Sequence, residues 1–103
     1  MNGKGKEYNN NGQLIFEGEY KNWEKWNGKG YDINGKIIYE IINGNGNIKE
    51  YNDEGVLVFE GEFLYGKRNG IGKEYNKNGV LVFEGEYMLN KKLKGREYIK
   101  GKL

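Results

Sequence analysis

Three pairs of glutamates, Glu17/Glu19, Glu60/Glu62 and Glu84/Glu86, each bracket a single glycine. Two carboxylates at fixed spacing are what glycosidases use, one as acid and the other as base or nucleophile. Here the pair recurs with its surroundings, whereas a catalytic pair normally occurs once. Residues two apart on a strand share a face, so pairing with Lys or Arg across neighbouring strands is the expected role. Calcium chelation by these residues would need a ligand-bearing loop, and no such motif accompanies them.

The rest of the chemical repertoire is narrow. The chain has no Cys and no His, and none of its 103 residues is Ser, Thr or Ala. It therefore lacks the usual hydroxyl and thiol nucleophiles and the side chain that titrates near neutrality. Zinc sites built on Cys and His are excluded, as are disulfides. No catalytic residue, metal site or cofactor is expected. Gly-x-Gly pairs at 3/5, 28/30, 44/46 and 70/72 have the look of a phosphate loop, but no Gly-Lys-Ser/Thr occurs and no helix pattern follows. They are expected to be turn glycines.

Binding chemistry is better represented. The segments 21–29, 64–70 and 88–95 carry Trp23, Trp26, Tyr65, Lys67, Arg68, Lys91 and Lys92. Trp and Arg are the residues most often found as interface anchors. A basic, aromatic edge of this kind suits a phosphate, an RNA segment or an acidic protein surface. The plainer role is solvated turns, with Trp23 and Trp26 capping the exposed end of a sheet. A net charge of +2 is too small a bias to argue for nucleic acid by itself.

The elements that position these residues follow from a repeat. VLVFEGEF at 56–63 returns as VLVFEGEY at 80–87, and LIFEGEY stands at 14–20. Tyr8, Tyr31, Tyr51, Tyr75 and Tyr98 end similar short segments, and Phe16, Tyr39, Phe59 and Phe83 move in step with them. Between these landmarks lie NNNG, DING, NDEG and NKNG, each ending in Gly at the same distance after the Tyr. A hairpin turn that needs a left-handed residue explains that Gly.

Pro is absent, 18 residues are Gly, and period-two alternation outweighs a helical period. The expected fold is all-β: an elongated, twisted, single-layer antiparallel sheet of stacked hairpins. One domain spans 1–103, with units of about 2–26, 27–42, 43–68 and 69–92 and a partial unit at 93–103. A three-residue loop such as 77–79 sets Asn76 against Val80 and Tyr75 against Leu81, and gathers Tyr75 with Phe83, Gly85 and Tyr87. Gly18, Gly61 and Gly85 leave room for a ring from the next strand. Ile41 replaces that Gly in the second unit, which should pack differently. Phe16, Tyr20, Phe59, Phe63, Phe83 and Tyr87 form an aromatic face that is mostly core, with any accessible part serving as a partner groove or dimer interface. Lys4, Lys6, Lys100 and Lys102 guard the terminal strands against strand addition.

The stretch FEGEFLYGKRNGIG (59–72) resembles the MORN repeat, through Phe59, Glu60, Gly61, Phe63, Gly66, Lys67, Arg68, Gly70 and Gly72. The resemblance extends across the chain and is nearest to the small bacterial variant with Asn-Gly hairpin turns, some of it antitoxin-like. It implies a hairpin array that binds proteins or membranes, often as a scaffold or dimer. The leading expectation is a non-enzymatic protein-interaction module that occludes a protein partner, for example a phage-encoded blocker of a bacterial defence nuclease. The alternatives are an anionic phospholipid binder, a self-associating homodimeric scaffold, a nucleic-acid or ribonucleoprotein binder, and a carbohydrate platform. The first residues show no apolar stretch of a signal peptide, so a cytoplasmic location is expected.

Overall fold

The computed structural model describes residues 2–98. Among them lie nine strands and no helix: β1 (Gly3–Tyr8), β2 (Leu14–Lys21), β3 (Glu24–Tyr31), β4 (Ile37–Ile41), β5 (Gly46–Tyr51), β6 (Leu57–Leu64), β7 (Lys67–Tyr75), β8 (Leu81–Met88) and β9 (Lys91–Glu97). Each pairs antiparallel with its neighbour in sequence, in two ladders, β1 to β4 and β5 to β9. The all-β array of stacked hairpins is the expected one. Lys100 and Lys102 lie outside the described residues.

Two kinds of turn alternate along the array. One kind spans 9–13, 32–36, 52–56 and 76–80. Its first residue is Asn or Asp, whose Oδ1 accepts hydrogen bonds from two backbone N–H groups further on; for Asn76 these are Asn78 at 2.9 Å and Val80 at 3.1 Å. This side chain replaces the backbone partners that the loop would otherwise lack. Gly79 takes φ 80°, and Tyr75 stands opposite Leu81 as the loop length requires.

The register then departs from simple alternation. Glu74 pairs with Phe83, leaving Val82 unopposed in a β-bulge. Ile15, Ile38 and Val58 are skipped in the same way. An extra residue on one strand turns the following side chains to the opposite face. Tyr75 therefore does not join Phe83 and Tyr87, but donates to Glu60 on the outer, charged face at 2.8 Å. Glu74 takes its place among the aromatics.

The motif phenylalanines form the core: Phe16, Phe59 and Phe83 are buried, with Tyr39, Ile41, Ile48 and Tyr87. Their rings lie over bare glycine backbone on the next strand. A Cβ at Gly28, Gly72 or Gly95 would sit 2.7–2.8 Å from the ring tip of Phe16, Phe59 or Phe83. The motif glycines Gly18 and Gly85 instead face the partner glycines Gly28 and Gly95 across the strand pair. So the ring needing space is chiefly the motif Phe, and the glycine making room sits on the next strand, in a Gly-x-Gly segment for Gly28 and Gly72 and outside one for Gly95. This also corrects the placement of the Gly-x-Gly pairs: Gly3, Gly5, Gly28, Gly30, Gly46, Gly70 and Gly72 are strand residues, and Gly44 alone of the eight lies in a turn.

At Ile41 the array changes, as expected for a residue that fills the motif Gly position. Ile41 and Ile48 are buried against Phe16 and Tyr39. Between β4 and β5 the ladder is interrupted, and the single bridge Ile42–Asn45 joins them.

Candidate functional site

The second kind of turn has two residues: Asn22-Trp23, Asn43-Gly44, Tyr65-Gly66 and Leu89-Asn90. Both residues of each have positive φ, the backbone of the turn that matches the twist of a hairpin. All four lie at one end of the strands, opposite the Asx-capped loops. They are tied to one another. Gly44 donates its N–H to the Trp26 carbonyl, Gly66 donates to Gly44, and Asn90 donates to Arg68, at 2.8–2.9 Å. The first residue of each turn donates its N–H to an Asn side chain: Asn22 to Asn2, Asn43 to Asn27, Tyr65 to Asn45 and Leu89 to Asn69. Each of those acceptors precedes a Gly, so the recurring Asn-Gly dipeptide at 2–3, 27–28, 45–46 and 69–70 was a signal for this role.

The edge so formed is apolar at its tips. Trp23 is 77% exposed, Tyr65 62% and Leu89 57%. Ile42, Leu64 and Met88 beside them are exposed too. Sequence reasoning singled out Trp23 and Tyr65 but missed Ile42, Leu64, Met88 and Leu89, although Leu64 and Met88 stand immediately before turn residues. Trp26 is half-buried and stacks on Tyr65, with centroids 6.5 Å apart and planes 21° apart. Lys21 Nζ lies 4.7 Å above the Trp26 ring.

The cations expected on this edge divide. Arg68 turns inward, its guanidinium 3.9 Å above Phe59, and binds Glu50 at 3.1 Å. Lys92 covers Phe83 at 4.5 Å and pairs with Glu74 at 3.5 Å. Lys25 does the same over Phe16 and pairs with Glu7. A cation over a ring face, neutralised by a carboxylate, closes each phenylalanine from water. Lys67 binds Glu24 at 2.7 Å. Lys91 stays exposed on β9. Of the cations expected to meet a partner, Arg68 and Lys92 are thus occupied with the core.

The expected aromatic face is brought together as that core. Phe63 packs against both buried clusters and Tyr20 against the first. Beside them runs a groove of about 370 Å³, lined in part by Tyr20, Trp23, Glu24, Glu50 and Arg68. Tyr20 donates to Glu7, and burial together with that carboxylate raises its pKa well above the usual value. Tyr87 is pushed up to about 12, by burial first and then by Glu74.

The glutamate pairs lie on the other face in charged rows. Glu17 binds Lys6 at 3.6 Å, Glu84 binds Lys73 at 3.9 Å and Glu86 binds Lys94 at 3.8 Å. Cross-strand pairing is what the repetition predicted. Among the described residues no group of carboxylates is arranged to hold a metal ion, and no helix is long and apolar enough to cross a membrane.

The family model described as MORN repeat variant matches residues 1–22 and 68–88. No curated protein and no solved structure matches the chain.

Proposed function

We propose, from the membership of this chain in the MORN-repeat family, that it is a non-enzymatic interaction module whose two-residue-turn edge engages an apolar patch on a protein partner. One observation carries the reading. Trp23, Tyr65 and Leu89 hold φ of 70°, 50° and 47°, a backbone that costs bulky residues about 1–2 kcal/mol each. The same chain solves the same turn without that cost at Asn43-Gly44. Retaining large exposed side chains where Asn and Gly fit better is a stability loss that a binding role accounts for. The absence of Ser, Thr, Cys and His supports a role by binding alone. Coverage of a partner's working surface, as an inhibitor or antitoxin would act, is the simplest such role for a module of this size.

The test is site-specific photo-crosslinking in extract of the native host. A crosslinker at positions 23 and 89 should capture one and the same protein, and a crosslinker at positions 11 and 78 on the opposite edge should not. Trp23→Asn with Leu89→Asn should abolish capture of that protein by a position-65 crosslinker. Equal capture from both edges would overturn the reading. So would tight binding to anionic vesicles with no protein captured from either edge.

A further inference from the structure

Strand β9 repeats β7, but among the described residues it has one neighbouring strand where β7 has two. In β7, Lys73 stands opposite Glu60 on one side and Glu84 on the other, Gly72 opposite Gly61 and Gly85, and Glu74 opposite Phe59 and Phe83. In β9, Arg96, Gly95 and Glu97 hold the same places against Glu84, Gly85 and Phe83. Among the described residues no strand pairs with its far edge. Tyr98 donates its N–H to the Val82 carbonyl at 2.8 Å. Hydrogen-bonded and non-bonded pairs alternate along an antiparallel ladder, so the N–H and C=O groups of Gly95 and Glu97 point outward, away from β8.

Charge states which strand fits there. Lys91, Lys92, Lys94 and Arg96 face one carboxylate, Glu97, among the seven residues of β9, all of them exposed. Glu74 in β7 accepts a hydrogen bond from Tyr87 of the following strand and its side chain is 31% exposed. Among the described residues no strand follows the matching Glu97, and its side chain is 72% exposed. Two copies of β9 paired together would set cations against cations, which is unfavourable. Strands β2, β6 and β8 of a second copy are already paired on both sides, and β4, which ends its ladder, has one carboxylate, Glu40, and Ile41 where the others have glycine, so another copy offers no acidic strand of this pattern.

We propose that the open edge of β9 takes up an extended acidic strand of a partner protein, added antiparallel as the next member of the array. Carboxylates at alternate positions meet Arg96 and Lys94, a glycine lies against Gly95, and an aromatic residue faces Glu97. Main-chain hydrogen bonds supply the attachment and the carboxylates the choice of strand. This surface is separate from the two-residue turns, and either can fail without the other.

The probe is a synthetic peptide copying Leu81–Met88, added to the full chain, with amide exchange read by NMR and affinity by fluorescence anisotropy. The Gly95 and Glu97 amides should exchange freely without peptide and slow at least tenfold with it. The peptide with Glu84→Lys and Glu86→Lys should bind at least tenfold more weakly, and binding of the acidic peptide should weaken as salt rises. Unchanged exchange at both amides under saturating peptide would overturn the proposal, as would equal affinity for the two peptides. A single-stranded oligonucleotide that competes fully while leaving both amides unprotected would show a phosphate-binding strip instead, and would also overturn it.

Discussion

The two ends of the strands solve the same problem with different chemistry. At one end, a polar side chain at the head of each loop supplies the missing hydrogen-bond acceptor, and a glycine takes the left-handed residue. At the other, the turn is two residues long and three of its four copies put a Trp, Tyr or Leu in left-handed backbone. The first end is built as stability alone would build it. The second gives up stability to keep large apolar groups in water, and that difference is the ground on which the binding edge is proposed.

The comparison breaks most decisively if the apolar turns are rewritten as polar ones. Trp23→Gly with Tyr65→Asn and Leu89→Asn should raise unfolding free energy by about 1–3 kcal/mol in total, while partner capture falls more than tenfold. Chemical denaturation and the crosslinking assay read the two effects. A variant that loses stability would remove the basis for treating these turns as a binding edge.

Arg68→Ala comes next. It uncovers Phe59 and removes the cation bound to Glu50, while Glu74 keeps Lys92. A loss of about 2–3 kcal/mol is expected in denaturant titration. A loss below 0.5 kcal/mol would return Arg68 to the surface role that its position beside the turn suggested.

At the polar end, Asn76→Ala removes the acceptor of two backbone N–H groups and should cost about 1–2 kcal/mol without changing partner capture. Gly79→Ala has open space, with Val56 Cγ1 the nearest contact at 3.6 Å. Its cost, about 1 kcal/mol, is backbone strain alone.

The smallest effect is in alkali. Tyr75, near the polar loops, and Tyr87, near the apolar turns, are both pushed up to about 12, by burial first and by neighbouring carboxylates. A tyrosine in the unfolded chain titrates near 10. The neutral hydroxyl is the form the fold favours, so this contribution is fully present below pH 10 and is lost as pH rises towards 12. Denaturation midpoints should therefore fall between pH 10 and 12, and Tyr75→Phe should flatten that fall in part. Tyrosinate absorbance at the same pH values checks the assignment.

Much of the fold was legible because the sequence repeats its own grammar. The loops headed by Asn or Asp and closed by Gly followed from spacing, the disturbance at Ile41 from residue type, and the Tyr75–Leu81 pairing from a register chosen to gather the aromatics, a gathering that the bulge undoes for Tyr75. The faces were less legible. Alternation assumes an unbroken pleat, and the bulge at Val82 comes from backbone geometry that a Val-Leu-Val run does not announce. The Gly-x-Gly segments read as turns because glycine marks turns and close ring contacts alike. Arg68 and Lys92 read as edge residues because a long cationic side chain next to a turn reaches either water or a ring, and sequence position does not say which. Met88 and Leu89 lie in a segment read as a connection but were passed over there in favour of its lysines; the two-residue turn leaves both side chains exposed.

The interrupted ladder at Ile41 has a mechanical consequence. Between other neighbouring strands, a full row of main-chain bonds shares any load. Between β4 and β5 the load falls on the Ile42–Asn45 bridge, the two main-chain bonds of Gly44, the Lys67–Glu24 pair, the Trp26–Tyr65 stack and packing around Ile41 and Ile48. A molecule stretched from its two ends would therefore part at this seam first, releasing a four-strand block and a five-strand block before either unravels.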